Sequence, residues 1–144
     1  MSDPRVPPGR DAQFVAAPLA SRQVAEALDA FCTRERLPAD LRWRLQVAVD
    51  EIVSNLVNHA AAGATTPAFD VSFVRTDDEV EITIADDGPP FDPLARPDPD
   101  TTLPLESRKP GGLGILLVKS LMDDVSYERT GRNVLTMRKR IKGT

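Results

Sequence analysis

The longest regular pattern in this chain is helical and runs from Ala39 to Ala62, ending before a glycine that can cap it. Its apolar residues recur at helical spacing and share one face: Leu41, Leu45, Val49, Ile52, Val53, Leu56 and Ala60. An adjacent polar stripe contains Arg44, Glu51, Asn55, Asn58 and His59. The helix therefore has one face for a core and one stripe that is either solvated or chemically active.

The remaining pattern indicates one domain of mixed helices and strands, spanning residues 1–144. Strands are predicted at 12–17, 69–75, 80–85, 124–129 and 134–139, and further helices at 19–36 and 113–121. With 144 residues and 41% hydrophobic content the chain can build one core, and a second independent domain is not expected.

Composition argues against several classes of function. The net charge of −4 and the few aromatic residues argue against direct binding of nucleic acid. The apolar runs are short for a membrane span and the start lacks a signal-peptide profile, so we expect a cytoplasmic protein with no membrane segment. Cys32 is the only cysteine and is expected in the core, and His59 is the only histidine, so no metal-ligand cluster of these residues is expected.

A proline-rich segment interrupts the regular pattern at residues 89–110. It holds seven of the thirteen prolines, which no helix or central strand would tolerate. Long loops in compact domains usually have a use, so a substrate lid is one interpretation and plain disorder is the other.

Glu51 and Asn55 stand one helical turn apart on the polar stripe. A solvated helix face explains such residues without any function. Their chemistry also suits phosphate transfer, because an amide oxygen is a suitable ligand for Mg²⁺ and a nearby carboxylate can orient or deprotonate a nucleophile.

Asp86 ends a predicted strand and is followed by Asp87, Gly88 and two prolines. An ordinary turn explains this sequence. Alternatively the Asp86 carboxylate enters a pocket, where the exocyclic amine of adenine would satisfy it, and Gly88 lets a base approach the backbone closely.

Gly111, Gly112, Leu113 and Gly114 lead directly into an apolar helix. Backbone N–H groups at a helix entrance can face an anion such as phosphate. A flexible loop end is the other interpretation. The pattern is neither a Walker A motif nor a dinucleotide-binding fingerprint, because the lysine and the preceding strand are missing.

Taken in this order, the three motifs resemble the ATP-binding domain of the GHKL superfamily, which includes gyrase, histidine kinases and MutL. The closest likeness is to its small stand-alone RsbW/SpoIIAB-like anti-sigma factor serine/threonine kinases. The resemblance implies Glu51 as the general base, Asn55 as the Mg²⁺ ligand and Asp86 with Gly88 as the adenine site. It further implies that Gly112, Leu113 and Gly114 bind phosphate and that Thr136, on the last strand, contacts adenine.

The sequence departs from the family pattern at two places. Pro90 stands where a second glycine is usual, and Pro110 replaces an arginine that often precedes the last glycines. Arg108 and Lys109 are then the residues left to contact the γ-phosphate.

The resemblance implies the Bergerat fold, an α/β sandwich with helices on one face of a mixed, mainly antiparallel sheet. It implies ATP and Mg²⁺ as cofactors and, as partners, a STAS-domain anti-sigma factor antagonist that is phosphorylated and a sigma factor that is sequestered. It also allows a homodimer. Two alternatives stay open, a binding module that holds nucleotide without transferring phosphate, and a partner-switching regulator of another process such as secretion.

Overall fold

The computed structural model describes residues 12–61, 68–90, 92–95 and 112–141. In chain order the elements are β1 (Ala12–Val15), α1 (Ala20–Arg34), α2 (Ala39–Ala61), β2 (Ala68–Arg75), β3 (Glu79–Asp86), a 3₁₀ turn (Pro93–Ala95), α3 (Gly112–Leu121), β4 (Asp124–Arg129) and β5 (Asn133–Arg140). Each element predicted from the sequence is present, with ends displaced by at most about two residues, the usual scatter of such boundaries. Most of the expected lid, 96–110, lies outside the described residues, as does Phe91.

The strands form a five-stranded sheet in the order β1-β2-β3-β5-β4. Every pair of neighbours in the described residues is antiparallel, which confirms the expected fold of helices packed on a mainly antiparallel sheet. The crossover between β3 and β5 places the strand that ends at Asp86 beside the strand that begins at Asn133, and these two residues are directly opposite each other.

One face of the sheet is buried against the helices. Side chains alternate between the two faces of a strand, so buried and half-buried residues alternate along β2, β3 and β5. The rings of Phe31 in α1 and Phe73 in β2 pack with their centres 5.4 Å apart. Cys32 lies in this core as expected, and burial raises the pKa of its thiol to about 11.

Helix α2 faces the core with the residues that the sequence pattern assigned to its apolar side. Leu45 and Val53 are completely buried, and Ile52 is nearly so. Helix α3 packs along α2 and is held in the core by Ile115 and Val118. The polar stripe of α2 is thereby brought next to the beginning of α3.

Among the residues described, no helix is both long enough and apolar enough to cross a membrane.

Candidate functional site

A pocket lies between α2 and the helix-facing side of the sheet. Its lining residues are Ile52, Asn55, Leu56, Ile84, Asp86, Pro93, Tyr127, Asn133 and Leu135. The walls are largely aliphatic, and the polar groups are few and concentrated at the ends of β3 and β5. A pocket with apolar walls and a few fixed polar groups suits a small organic ligand or cofactor.

The Asp86 carboxylate is held in one orientation at the end of β3. Its Oδ1 atom accepts a hydrogen bond from the backbone N–H of Gly88 at 2.8 Å and another from Nδ2 of Asn133 at 3.0 Å. Within the described part of the chain, Oδ2 accepts none. Asp86 therefore presents one oxygen whose hydrogen-bonding capacity is not used by any described residue, in a pocket with apolar walls.

Asn133 is the centre of the hydrogen-bond network around Asp86, and it is only 6% exposed. Besides Asp86, its Nδ2 donates to the carbonyl of Pro89 at 2.9 Å. Its Oδ1 accepts from the hydroxyl of Tyr127 and from Nη1 of Arg129, the latter at 3.0 Å. Two strands and the turn after β3 are therefore joined through one buried amide.

Arg129 and Arg132 hold the same turn from outside the pocket. Arg129 donates to the carbonyl of Gly88 at 2.9 Å. Arg132 bridges Asp70 of β2 and Asp87, each at 2.7 Å, and these hydrogen bonds, first that with Asp70, raise the pKa of its guanidinium. The Asp-Asp-Gly sequence is thus more than a free surface turn, because side chains from three other positions fix it.

Thr136 is not brought to this pocket, and the expectation of an adenine contact there needs correction. Thr136 lies opposite Thr83 of β3, whereas its neighbours Leu135 and Met137 face the core. Because side chains alternate along a strand, Thr136 points to the other face of the sheet. The residue of β5 that lies at Asp86 is Asn133, which the sequence reasoning missed. Counting back by two from Leu135 would have found it.

Glu51 and Asn55 come together at the other end of the site, as their spacing predicts. Asn55 lines the pocket, and the Glu51 carboxylate lies against Gly114 in the first turn of α3. Both side chains are partly buried, and neither makes a hydrogen bond or ion pair with any residue that the structure describes. Their oxygens are therefore available to a ligand.

Helix α3 begins at Gly112, so Gly112, Leu113 and Gly114 form its first turn, where the unpaired N–H groups of a helix are found. Arg108 and Lys109 lie outside the described residues, so their expected contact with phosphate stays a prediction.

No group of three or more His, Cys, Asp or Glu residues able to hold a metal ion occurs in the described ranges. A cation here would need ligand oxygens besides the protein's, which is how Mg²⁺ usually binds nucleotide phosphates.

The arrangement fits an adenine nucleotide. The apolar walls can enclose the base, and Oδ2 of Asp86 can accept a hydrogen bond from its exocyclic amine. At the other end, the first turn of α3 offers N–H groups for phosphate, beside the oxygens of Glu51 and Asn55.

Comparison with known proteins agrees with this arrangement. The family model described as the histidine kinase-like ATPase domain matches residues 14–139. The serine/threonine-protein kinase BtrW of Bordetella bronchiseptica is 34% identical over 111 residues, covering 76% of this chain and 78% of BtrW. The serine-protein kinase RsbW of Oceanobacillus iheyensis is 35% identical over 102 residues, covering 67% of this chain and 64% of that kinase.

The fold also has a solved counterpart. The crystal structure of the RsbU and RsbW domains of a Mycobacterium tuberculosis protein superposes with a TM-score of 0.60 at 15% sequence identity. The match covers 91% of this chain and 32% of the other, and at this identity it shows the fold alone. From the family match and the BtrW relationship, the chain belongs to the histidine kinase-like ATPase domain family.

Proposed function

We propose that this member of the histidine kinase-like ATPase family is an ATP-dependent protein serine/threonine kinase. Its relatives in Bordetella and Oceanobacillus are named as kinases of this type. The observation that carries the proposal is that a candidate base site and a candidate phosphate site lie at the two ends of one pocket. Asp86 offers a fixed acceptor for a base, and Glu51 and Asn55 offer oxygens beside the helix entrance at Gly114.

The nucleotide would be held at both ends. Oδ2 of Asp86 would accept the adenine amine, with Ile52, Ile84 and Leu135 against the base. The first turn of α3 would donate N–H groups to the phosphates, with Arg108 or Lys109 as further cations. Asn55 would contribute its amide oxygen to Mg²⁺, which when bound neutralises phosphate charge.

Glu51 would act as the general base. Phosphate transfer forms a bond between the acceptor hydroxyl oxygen and the γ-phosphorus and breaks the bond from that phosphorus to the bridging oxygen, releasing ADP. The hydroxyl proton passes to the Glu51 carboxylate. No described residue forms a hydrogen bond or an ion pair with the Glu51 carboxylate, so it is available to accept the proton.

The proposed acceptor is a serine or threonine of a STAS-domain anti-sigma factor antagonist. Similar kinases, among them those of Oceanobacillus iheyensis and Listeria monocytogenes, carry the name RsbW, and the Mycobacterium structure contains RsbU and RsbW domains. By this likeness the protein would sequester a sigma factor when the antagonist is phosphorylated, as part of a partner switch in the cytoplasm. We also propose that two copies of this chain form a homodimer.

The test is mass measurement of the candidate STAS protein after incubation with the chain, ATP and Mg²⁺. A gain of one phosphate is expected with the wild type. Glu51→Ala should keep nearly the wild-type affinity for ATP. Its rate of phosphate transfer should be lower by about 10²- to 10⁴-fold, the usual effect of losing a general base. Asp50→Ala, which removes an exposed carboxylate one position away, is the matched control and should transfer normally.

If Glu51→Ala transfers at the wild-type rate, Glu51 is not the base. If the wild type binds ATP but modifies no STAS candidate, the second function applies, a module whose affinity for partners depends on nucleotide. The departures from the family pattern at Pro90 and Pro110 are what favour that second candidate. A transfer to a STAS protein that controls secretion instead of a sigma factor would assign the same switch to another process.

A further inference from the structure

Gly114 lies inside the first turn of α3, where glycine has a cost. A glycine within a helix is less favourable than an alanine because it loses more backbone entropy. Its backbone is helical, and in the described residues the only glycine with a positive φ is Gly131. Backbone conformation therefore gives no reason for glycine at position 114.

The space beside Gly114 does give a reason. A Cβ atom placed there would overlap Oε2 of Glu51 and lie 3.3 Å from its Cδ and 3.9 Å from its Cγ. Apart from the two adjacent residues and the backbone of α3 itself, these three atoms of one side chain are the nearest described neighbours of that position. The Glu51 carboxylate thus occupies the volume that any other residue at 114 would fill.

Both helices are anchored in the core beside this contact. On α2, Ile52 and Val53 follow Glu51 directly and are buried in the core. On α3, Ile115 follows Gly114 directly and is 4% exposed, and Val118 is completely buried. Because the interior is close-packed, the element that would yield is the Glu51 side chain, which can turn toward another rotamer.

We propose that Gly114 is a positioning residue for Glu51, in that its missing side chain keeps the carboxylate against the entrance of α3. The inference rests on the proposed kinase function and extends it. Glycines at a helix entrance are expected to make room for phosphate, whereas the volume at Gly114 is taken by the proposed base. Gly114 then couples the phosphate end of the site to the base.

The first test is Gly114→Ala in the STAS phosphorylation assay. A displacement of a catalytic group by about 1 Å costs about 10²-fold in rate, so we expect a loss of this order. In the Glu51→Ala background the same substitution should cause no further loss. Ser120→Ala is the matched control on α3, because Ser120 is exposed and, among the described residues, its hydroxyl bonds only to the carbonyl of Leu117. It should keep the wild-type rate.

The second test is thermal unfolding of the same variants, and it needs no activity. In the Glu51→Ala background, Gly114→Ala should raise Tm by about 2 to 4 °C, as expected for a helical glycine replaced by alanine. With Glu51 present the increase should shrink or vanish because the carboxylate is displaced. Ser120→Ala should change Tm equally in both backgrounds.

An equal rise of Tm in both backgrounds would show that Gly114 and Glu51 do not compete for space, and would overturn the inference. A normal transfer rate in Gly114→Ala would overturn the positioning role even if the two residues do compete. If the wild type itself transfers no phosphate, the proposed function fails, while the Tm comparison still decides whether Gly114 makes room for Glu51.

Discussion

The two ends of the pocket are built in opposite ways. At the base end, Asp86, Asn133 and Arg129 are linked to one another and to the turn after β3 by hydrogen bonds. At the phosphate end, Glu51 and Asn55 make no hydrogen bond or ion pair with any described residue. At the base end the protein's own hydrogen bonds fix the side chain that keeps one oxygen for a ligand, whereas at the phosphate end no described residue fixes Glu51 or Asn55 by a hydrogen bond or ion pair.

The difference follows from burial. Asn133 is almost completely buried, and a buried amide must find partners inside the protein or destabilise the fold. Glu51 and Asn55 are only partly buried, so water can satisfy them until a ligand arrives. Substitutions at the base end should therefore affect both stability and affinity, and those at the phosphate end should affect metal use and chemistry with little effect on folding.

Of the substitutions proposed at these two ends, Asn55→Ala is expected to change nucleotide affinity most. The remaining groups cannot replace its amide oxygen on the metal, so Mg²⁺ should no longer increase the affinity for ATP. Calorimetry with and without Mg²⁺ measures this, and Asn58→Ala, an exposed asparagine on the same stripe, should behave as the wild type. If folded Asn55→Ala keeps its Mg²⁺-dependent affinity, Asn55 belongs to a solvated helix face and the contrast between the two ends is weakened.

Asp86→Asn is expected to lower nucleotide affinity by a smaller amount. Disturbing a buried hydrogen bond to a charged group costs about 1 to 3 kcal/mol, or about 5- to 150-fold in the Kd for ADP. The increase of affinity with Mg²⁺ should be preserved, because the substitution lies at the base end. Asp87→Asn is the control, since Asp87 is exposed and pairs with Arg132. Equal affinity of wild type and Asp86→Asn for ADP would remove Asp86 from base recognition.

The fold could be predicted from the sequence because its elements have clear periodic patterns. The apolar face of α2 and the alternation in β3 are strong signals, and every predicted element is present. The strand order was not predictable in the same way. Nothing in the local pattern says that β5 lies between β3 and β4, because pairing between distant segments depends on the whole sheet.

The relative placement of candidate site residues was predictable where one element carries them. Glu51 and Asn55 are one turn apart on α2, and the structure places them together. Thr136 was wrongly expected in the pocket because residue type was considered without the face of the strand, and Asn133 was missed for the same reason. The contact of Glu51 with Gly114 joins two helices, and no spacing within either helix reveals it.

The smallest of these effects on affinity is expected from Asn133→Ala. Asn133 does not need to contact the base, because its Nδ2 acts by fixing Oδ1 of Asp86, while Oδ2 accepts no hydrogen bond from the described residues. Loss of one such hydrogen bond typically costs about 0.5 to 1.5 kcal/mol, or about 2- to 13-fold in the Kd for ADP. Tm should fall as well, because Tyr127 and Arg129 lose their acceptor.

Two comparisons separate this role from a general loss of structure. In the Asp86→Asn background, Asn133→Ala should weaken ADP binding less than it does in the wild type, because the two residues act through the same carboxylate. The increase of ATP affinity with Mg²⁺ should stay intact, since Asn55 lies at the other end. If Asn133→Ala removes that increase, the two ends of the pocket are not independent, and the network around Asn133 extends to the phosphate end.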